Sequence, residues 1–349
     1  MLYRKQIDFD KFKCIADKCP KSCCEGWQIM IDDKSLKKYR KYSGPFEDRF
    51  REGVDFKNSC FRQHGRCCSM LAVSGLCDLQ SFLGEGALCN TCRLFPRHIE
   101  EFPDIREYSL SLSCPEVVRM MLESKADFSF EEREDDREDS QDYDGFDYFL
   151  YDKLVFARDW MLSIAKKKDI PFEKRLDMIS QASFRLQELF DEGNIAGMDD
   201  VSYETLKDPG DDLRHGFIFS YDYMMRSFEL LESLEVMESS WTETINSTSE
   251  FWSEASEDKW REVMFSADTF TFEKILESLL FVYFCGSIYD GEIYARAMIA
   301  VMSVRWIKMI SAANTEIPLN EVIYLYSREV EHSDININAL ISYFESELP

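Results

Sequence analysis

From Phe146 onward the apolar positions recur with a helical period. In FDYFLYDKLVFARDWMLSIAKKK (146–168), Phe149, Leu150, Leu154, Phe156, Trp160, Met161 and Ile164 stand at i, i+3 and i+4 intervals, which predicts an amphipathic helix. PFEKRLDMISQASFRLQELFDEG (171–193) repeats the scheme, with Pro171 at a helix start and Gly193 at its end. The same period runs through 219–237, 270–289, 292–312 and 320–333. Met and aromatic stripes of this kind are packing surfaces before anything else. No alternating strand pattern of comparable length appears.

The first third reads differently. Gly and Ser punctuate it at SGPF (43–46), VSGL (73–76) and LGEG (83–86), and long periodic stretches are scarce. Two short helices are predicted, one over 31–42 opened by Asp32 or Asp33, the other over 114–124 with Pro115 at its first position. Between the regions lies KADFSFEEREDDREDSQDYDG (125–145), with ten acidic and three basic residues. Little there can offset ordering entropy by burial, so a linker or exposed loop is expected. The expected fold is mainly α: a loop-rich cysteine-cluster domain (1–124), the acidic connection (125–145) and an α-helical bundle (146–349).

Charge sharpens the division. The net charge is −25, but residues 1–119 carry 20 basic against 17 acidic residues, and the acidic excess lies beyond. Such a surface repels nucleic-acid phosphates and attracts lysine-bearing proteins. The opening MLYRKQIDFDKFKC has no apolar signal core, and the longest apolar run, LLFVYFCGSIY (279–289), is too short to span a bilayer. A cytoplasmic protein without a transmembrane segment is the expectation, which disfavours a disulfide framework.

Eleven of twelve cysteines fall between Cys14 and Cys114; Cys285 sits in an apolar helical pattern and reads as a plain buried thiol. The spacings are Cys14-x4-Cys19-x3-Cys23-Cys24, then Cys60, Cys67-Cys68, Cys77, Cys89-x2-Cys92 and Cys114. Neighbouring side chains diverge on helix and strand alike, so Cys23 and Cys24 do not suit one compact tetrahedral ion. Only His64 and His98 stand near cysteines. A cysteine-dense, histidine-poor segment suits an iron–sulfur cluster; structural zinc and thiol redox chemistry stay open on spacing alone.

The blocks FKCIADKCPKSCCEGWQIMID (12–32), RCCSMLAVSGLCDLQSFLGEGALCNTCRLFPR (66–97) and SLSLSCPE (109–116) resemble, in order and spacing, the flagellin lysine-N-methylase family of cysteine-cluster proteins. The resemblance covers residues 12 to about 120. It implies methyl transfer from S-adenosylmethionine to lysine ε-amines of flagellin, and an iron–sulfur cluster, a 4Fe-4S centre being the expected form. The positions matching the family's recurrent cysteines are Cys14, Cys19, Cys23, Cys24, Cys67, Cys77, Cys92 and Cys114. Cys60, Cys68 and Cys89 look like local additions, and Cys68 stands where the family more often has proline, leaving Cys67 and Cys68 both open as the ligand. No GxGxxG follows a strand, and the spacing of radical S-adenosylmethionine enzymes begins at Cys19 and then fails.

Among other residues, Trp27 suits stacking on an adenine or capping a cluster, besides ordinary core packing. Arg93 and Arg97 suit a cosubstrate carboxylate or a salt bridge. Methylation needs a neutral amine, so Glu25, Glu85 and Glu116 are candidate proton acceptors; Glu116 also suits the first turn of a helix for purely structural reasons. The competing reading is a non-enzymatic zinc- or cluster-stabilised interaction protein, or one that handles electrons or iron.

Overall fold

Local chemistry starts the elements where the sequence places them. The computed structural model describes residues 1–347 except 138, 140–142, 202–219 and 267. After strand β1 (Leu2–Gln6), the Asp32 side chain accepts from Ser35 N at 3.0 Å and opens α1 (Asp33–Lys41). Then come α2 (Glu47–Gly53) and four two-residue strands, β2 (Val54–Asp55), β3 (Cys60–Phe61), β4 (Gln63–His64) and β5 (Cys67–Cys68). Short helices α3 (Asp78–Leu83) and α4 (Asn90–Leu94) lead to β6 (Arg97–Phe102) and β7 (Ile105–Leu110). Helix α5 (Pro115–Glu123) has Pro115 in its first turn.

The four-stranded sheet was not legible in the sequence. Its order is β6-β7-β1-β8, with β1 and β7 parallel and the other pairs antiparallel. Strand β8 (Phe130–Glu134) comes from the acidic stretch expected to be only a connection. Four of its five side chains are exposed, so it is an acidic edge strand.

The long helices follow their periodicity: α6 (Tyr148–Ala165), α7 (Phe172–Asp191), α8 (Tyr221–Ser233), α11 (Phe270–Tyr283), α13 (Ile293–Ala313) and α14 (Leu319–Glu331). Residue 219, where the α8 pattern begins, lies outside the described residues. Three further helices, α9 (Ser239–Glu254), α10 (Glu257–Met264) and α15 (Asp334–Ser346), have weaker signatures. The expected 270–289 helix is shorter: α11 ends at Tyr283, and the short α12 (Ser287–Asp290) stops at left-handed Gly291. Nearly all of α13 is buried, with α7, α11 and α15 packed on it. Among the described residues no helix is long and apolar enough to cross a membrane.

The two hydrophobic cores divide the chain differently from the boundaries at 124 and 146. A small core joins Cys24, Ile29, Phe50, Phe61, Met70, Leu79 and Cys89. The large one runs from Phe9 and Phe12 through Phe102, Leu110, Cys114 and Val118 into the helical bundle. The sheet and α5 therefore belong with the helices, and the cysteine loops form a cap upon them.

A buried ion pair ties sheet to bundle. Arg158 on α6 forks onto both carboxylate oxygens of Glu107 on β7 at 2.5 and 2.6 Å, both side chains being buried. Stranding one charge of such a pair costs roughly 3–5 kcal/mol. Glu107→Gln is expected to lower unfolding free energy toward that range in urea titrations, whereas the exposed pair-breaking Glu257→Gln at Arg261 should change it by less than about 1 kcal/mol.

Candidate thiol centre

Backbone pairing brings the cysteine blocks together. Cys68 N donates to Cys24 O at 2.7 Å and Gly26 N to Arg66 O at 2.9 Å, so residues 24–26 zip against 66–68. Asp78 N donates to Met70 O at 2.8 Å and carries Cys77 alongside. Alternation along a strand sends Cys67 and Cys68 to opposite sides. Cys68 is the one that turns inward: it is buried with Cys24, and the Cys24 thiol interacts electrostatically with Cys23, Cys68 and Cys77. Cys89 and Cys92 form a second such pair, which Cys23 and Cys77 also influence. Cys19 and Cys114 adjoin at the Cys23 side. All twelve cysteines are free thiols.

Three of these residues, Cys77, Cys89 and Cys114, occupy helix N-caps. No cap hydrogen bond closes on their sulfurs, but the nearby first-turn N–H groups favour the thiolate form. Hydrogen bonding from Cys24, aided by the N–H groups of Leu79 and Gln80, lowers Cys77 to about 6. Cys23 and Cys68 are lowered by the same Cys24 thiol, which is itself raised well above the ordinary range. Burial pushes Cys114 up to about 12. The neighbours thus pull these thiols' acidities apart, and a cation among them would displace their protons. Among the described residues, however, no three or more Cys, His, Asp or Glu side chains converge on a point fit for a single metal ion.

The residues singled out from sequence separate into two sets. Cys19, Cys23, Cys24, Cys77, Cys92 and Cys114 are brought together, with Cys68 and Cys89 added. Cys14 is exposed, its sulfur accepting from Ala16 N at 3.4 Å, and Cys67 stands on the far side of its strand. Arg93 is exposed and bonds Asn90 at 2.5 Å. Arg97 lies over the rings of Phe9 and Phe12 and donates to Phe12 O, so neither arginine reaches the thiols. Glu25 pairs with Lys21 at 3.1 Å, and Glu85 is exposed. Glu116 is held as a carboxylate by Arg119 at 2.7 and 2.8 Å. Trp27 does border the centre: its Nε1 donates to Cys23 O at 2.9 Å and its ring stacks on His332 at 4.6 Å.

Besides Lys21 of the loop itself, the thiol loops meet a buried cation, Arg328, from the last turn of α14. It is 1 % exposed, and its guanidinium donates to the carbonyls of Lys21 and Ser22 at 3.2 and 3.1 Å, to Ser113 O at 3.1 Å and to Glu238 at 2.7 Å. It thereby joins the loops bearing Cys19–Cys24 and Cys114, and its charge lowers Cys23. Gly26, at φ +94°, lets the first loop press on the bundle: a Cβ there would stand 3.1 Å from Met237 O. The run REVEH (328–332) holds four titratable groups in five residues on a buried helix end, a signal that spacing arguments about cysteines passed over.

The family described as the FliB lysine N-methylase C-terminal domain matches residues 158–348, more than half of the chain. The chain belongs to this family. Arg328, Glu238, Glu331 and His332 all lie within the matched FliB domain, so that domain supplies the walls against which the thiol loops are held. The flagellar biosynthetic protein FliU of Salmonella muenchen is 30 % identical over 120 residues, 32 % of this chain and 71 % of that protein. A lysine-N-methylase of Salmonella typhimurium is 30 % identical over 121 residues, 32 % of this chain and 30 % of its own length. One from Salmonella choleraesuis matches to the same extent over 120 residues. The aligned stretch thus spans under a third of these two methylases. No solved structure matches.

Proposed function

We propose that this FliB-family protein is a protein-lysine N-methyltransferase that uses S-adenosylmethionine on flagellin ε-amines and carries a cysteine-bound iron–sulfur cluster. Family membership supports the reaction class. The observation that carries the cluster is the set of eight free cysteines, Cys19, Cys23, Cys24, Cys68, Cys77, Cys89, Cys92 and Cys114, drawn together with Arg328 beside them. Cysteines standing at helix N-cap positions suit an iron–sulfur core, and the buried guanidinium would offset the negative charge of the ligated assembly. A cluster held by these cysteines would supply a binding site for S-adenosylmethionine, in keeping with the lack of a glycine-rich nucleotide loop in the sequence. The chain's own part is to hold those thiols, keep water from them with Trp27, and accept the proton of the incoming lysine.

Mass spectrometry of flagellin after incubation with the anaerobically purified protein and S-adenosylmethionine is the test. Increments of about 14 Da on lysine are expected; unmodified flagellin would end the proposal. Iron and sulfide with visible absorption are expected in the same preparation. A colourless protein with stoichiometric zinc would favour a structural role for the thiols instead.

The acidic surface of the helical region should draw a lysine-rich substrate. Substrate affinity is expected to fall as ionic strength rises from about 0.01 to 0.15 M, over which the screening length shortens from about 30 to 8 Å. An affinity insensitive to salt in a binding assay would remove that contribution.

A further inference from the structure

Beside the thiols runs a continuous chain of hydrogen-bonding groups that no family relationship assigns. His332 Nε2 is 3.0 Å from Ser113 Oγ, Ser113 Oγ is 2.6 Å from Ser111 Oγ, and Ser111 Oγ donates to Glu331 Oε2 at 2.8 Å. The two atoms at its ends, His332 Nδ1 and Glu331 Oε1, are buried and have no hydrogen-bond partner. A buried polar atom left unmatched costs about 1–3 kcal/mol, so two at the ends of one chain call for a reason.

The order of donors fixes the direction of the chain. Ser111 gives its hydrogen to the carboxylate, so its oxygen accepts from Ser113, whose oxygen in turn accepts from His332 Nε2–H. That leaves Nδ1 as a bare lone pair. His332 stacks on Trp27 at 4.6 Å and meets Phe95 edge-on at 5.8 Å, with Trp27 and Phe95 5.9 Å apart. All three residues are only partly buried. The faces of aromatic rings grouped in this way suit an organic ammonium.

We propose that this chain is a proton relay for the methyl-accepting lysine: its ε-ammonium, guided by Trp27 and Phe95, gives a proton to His332 Nδ1, and the excess proton ends on Glu331. The ammonium N–H bond breaks with its electron pair left on nitrogen. Nδ1 gains the proton, Nε2 passes its own to Ser113, Ser113 to Ser111, and Ser111 to the Glu331 carboxylate. One cation and one anion become two neutral groups, so no charge is left in the buried site. The assignment rests on the lysine-methylation reading.

The surroundings suit transfer better than storage at the imidazole. Burial, together with Arg328 on the same helix, holds His332 down at about 3, so it passes a proton on. Burial raises Glu331 to about 7, near the working range, with His98 of β6 and Tyr283 of α11 as its charged or titratable neighbours from other elements. Glu25, Glu85 and Glu116 have no comparable link to the centre.

Two measurements test the relay. With only four histidines in the chain, 15N NMR of labelled protein resolves the His332 tautomer; protonated Nε2 with bare Nδ1 is expected, and a proton on Nδ1 overturns the relay. Ser113→Ala cuts the chain while keeping the imidazole, and its methylation rate at pH 7 should fall about 100-fold. The deficit should shrink as pH approaches about 10.4, where solvent deprotonates lysine unaided. A Ser113→Ala protein as fast as the wild type, or slower by a pH-independent factor, overturns the relay alone. A wild-type protein that transfers no methyl group overturns the lysine-methylation reading itself.

Discussion

Arg328→Ala is expected to yield a protein that retains its helical circular dichroism but purifies with little of the wild-type iron and visible absorption. The guanidinium is the link between the two loops that carry Cys19–Cys24 and Cys114, and it does so from within the bundle, through three backbone carbonyls and one carboxylate. Removing it leaves Glu238 buried with only Lys21, at 2.7 Å, to balance it. Breaking a buried pair in this way costs roughly 3–5 kcal/mol. The helices have a large apolar core to draw on, whereas the cysteine cap rests on a much smaller one, so the loss should fall on the cap. Arg328→Lys keeps the charge without the planar fork and should retain partial loading. Iron analysis with thermal unfolding checks both variants; full occupancy in Arg328→Ala would show that the loops hold their shape unaided.

The second large effect separates two adjacent residues. Cys68→Ser should abolish most of the iron and absorption, and Cys67→Ser should leave both near the wild-type level. Cys68 faces Cys24 and is 4 % exposed, while Cys67 looks away across the β4–β5 pair. Serine keeps the volume but is a far poorer ligand for iron. Equal iron content in the two variants would mean that this strand does not present a ligand at all. The comparison reads out metal content, so it does not depend on the identity of the methyl acceptor.

The long helices were legible because burial on one face imposes a 3.6-residue period, as at Leu150, Leu154 and Met161 of α6. Helix α9 was not. Its buried face is Trp241, Thr244, Ile245, Thr248 and Trp252, and the two threonines disguise the stripe; Thr248 Oγ1 bonds back to Thr244 O at 2.7 Å. Strand β7 hid for a related reason. Arg106, Glu107 and Ser109 read as surface residues, yet all three are buried, Glu107 because Arg158 meets it.

The site was half legible. Cysteine density pointed to the region, and the family resemblance named six of the eight gathered sulfurs, since local motifs are visible locally. It did not distinguish Cys67 from Cys68, because only the pairing of residues 24–26 with 66–68 decides which face turns inward. Nor did it reach Arg328 or His332, which arrive from a helix some 300 residues downstream. Arg93 and Arg97 were plausible by adjacency alone, and the fold directs them elsewhere.

That distance has a consequence for biogenesis. The contact between Ser22 and Arg328 joins positions 306 residues apart, so it forms only after residue 328 has left the ribosome, long after the cysteine loops. Until then the sulfur-bearing loops lack their anchor and lie open to oxidants and stray metals. On the proposed cluster reading, iron insertion would be a late maturation event, and chains truncated before α14 should accumulate as oxidation-prone, colourless material even though all twelve cysteines are already present.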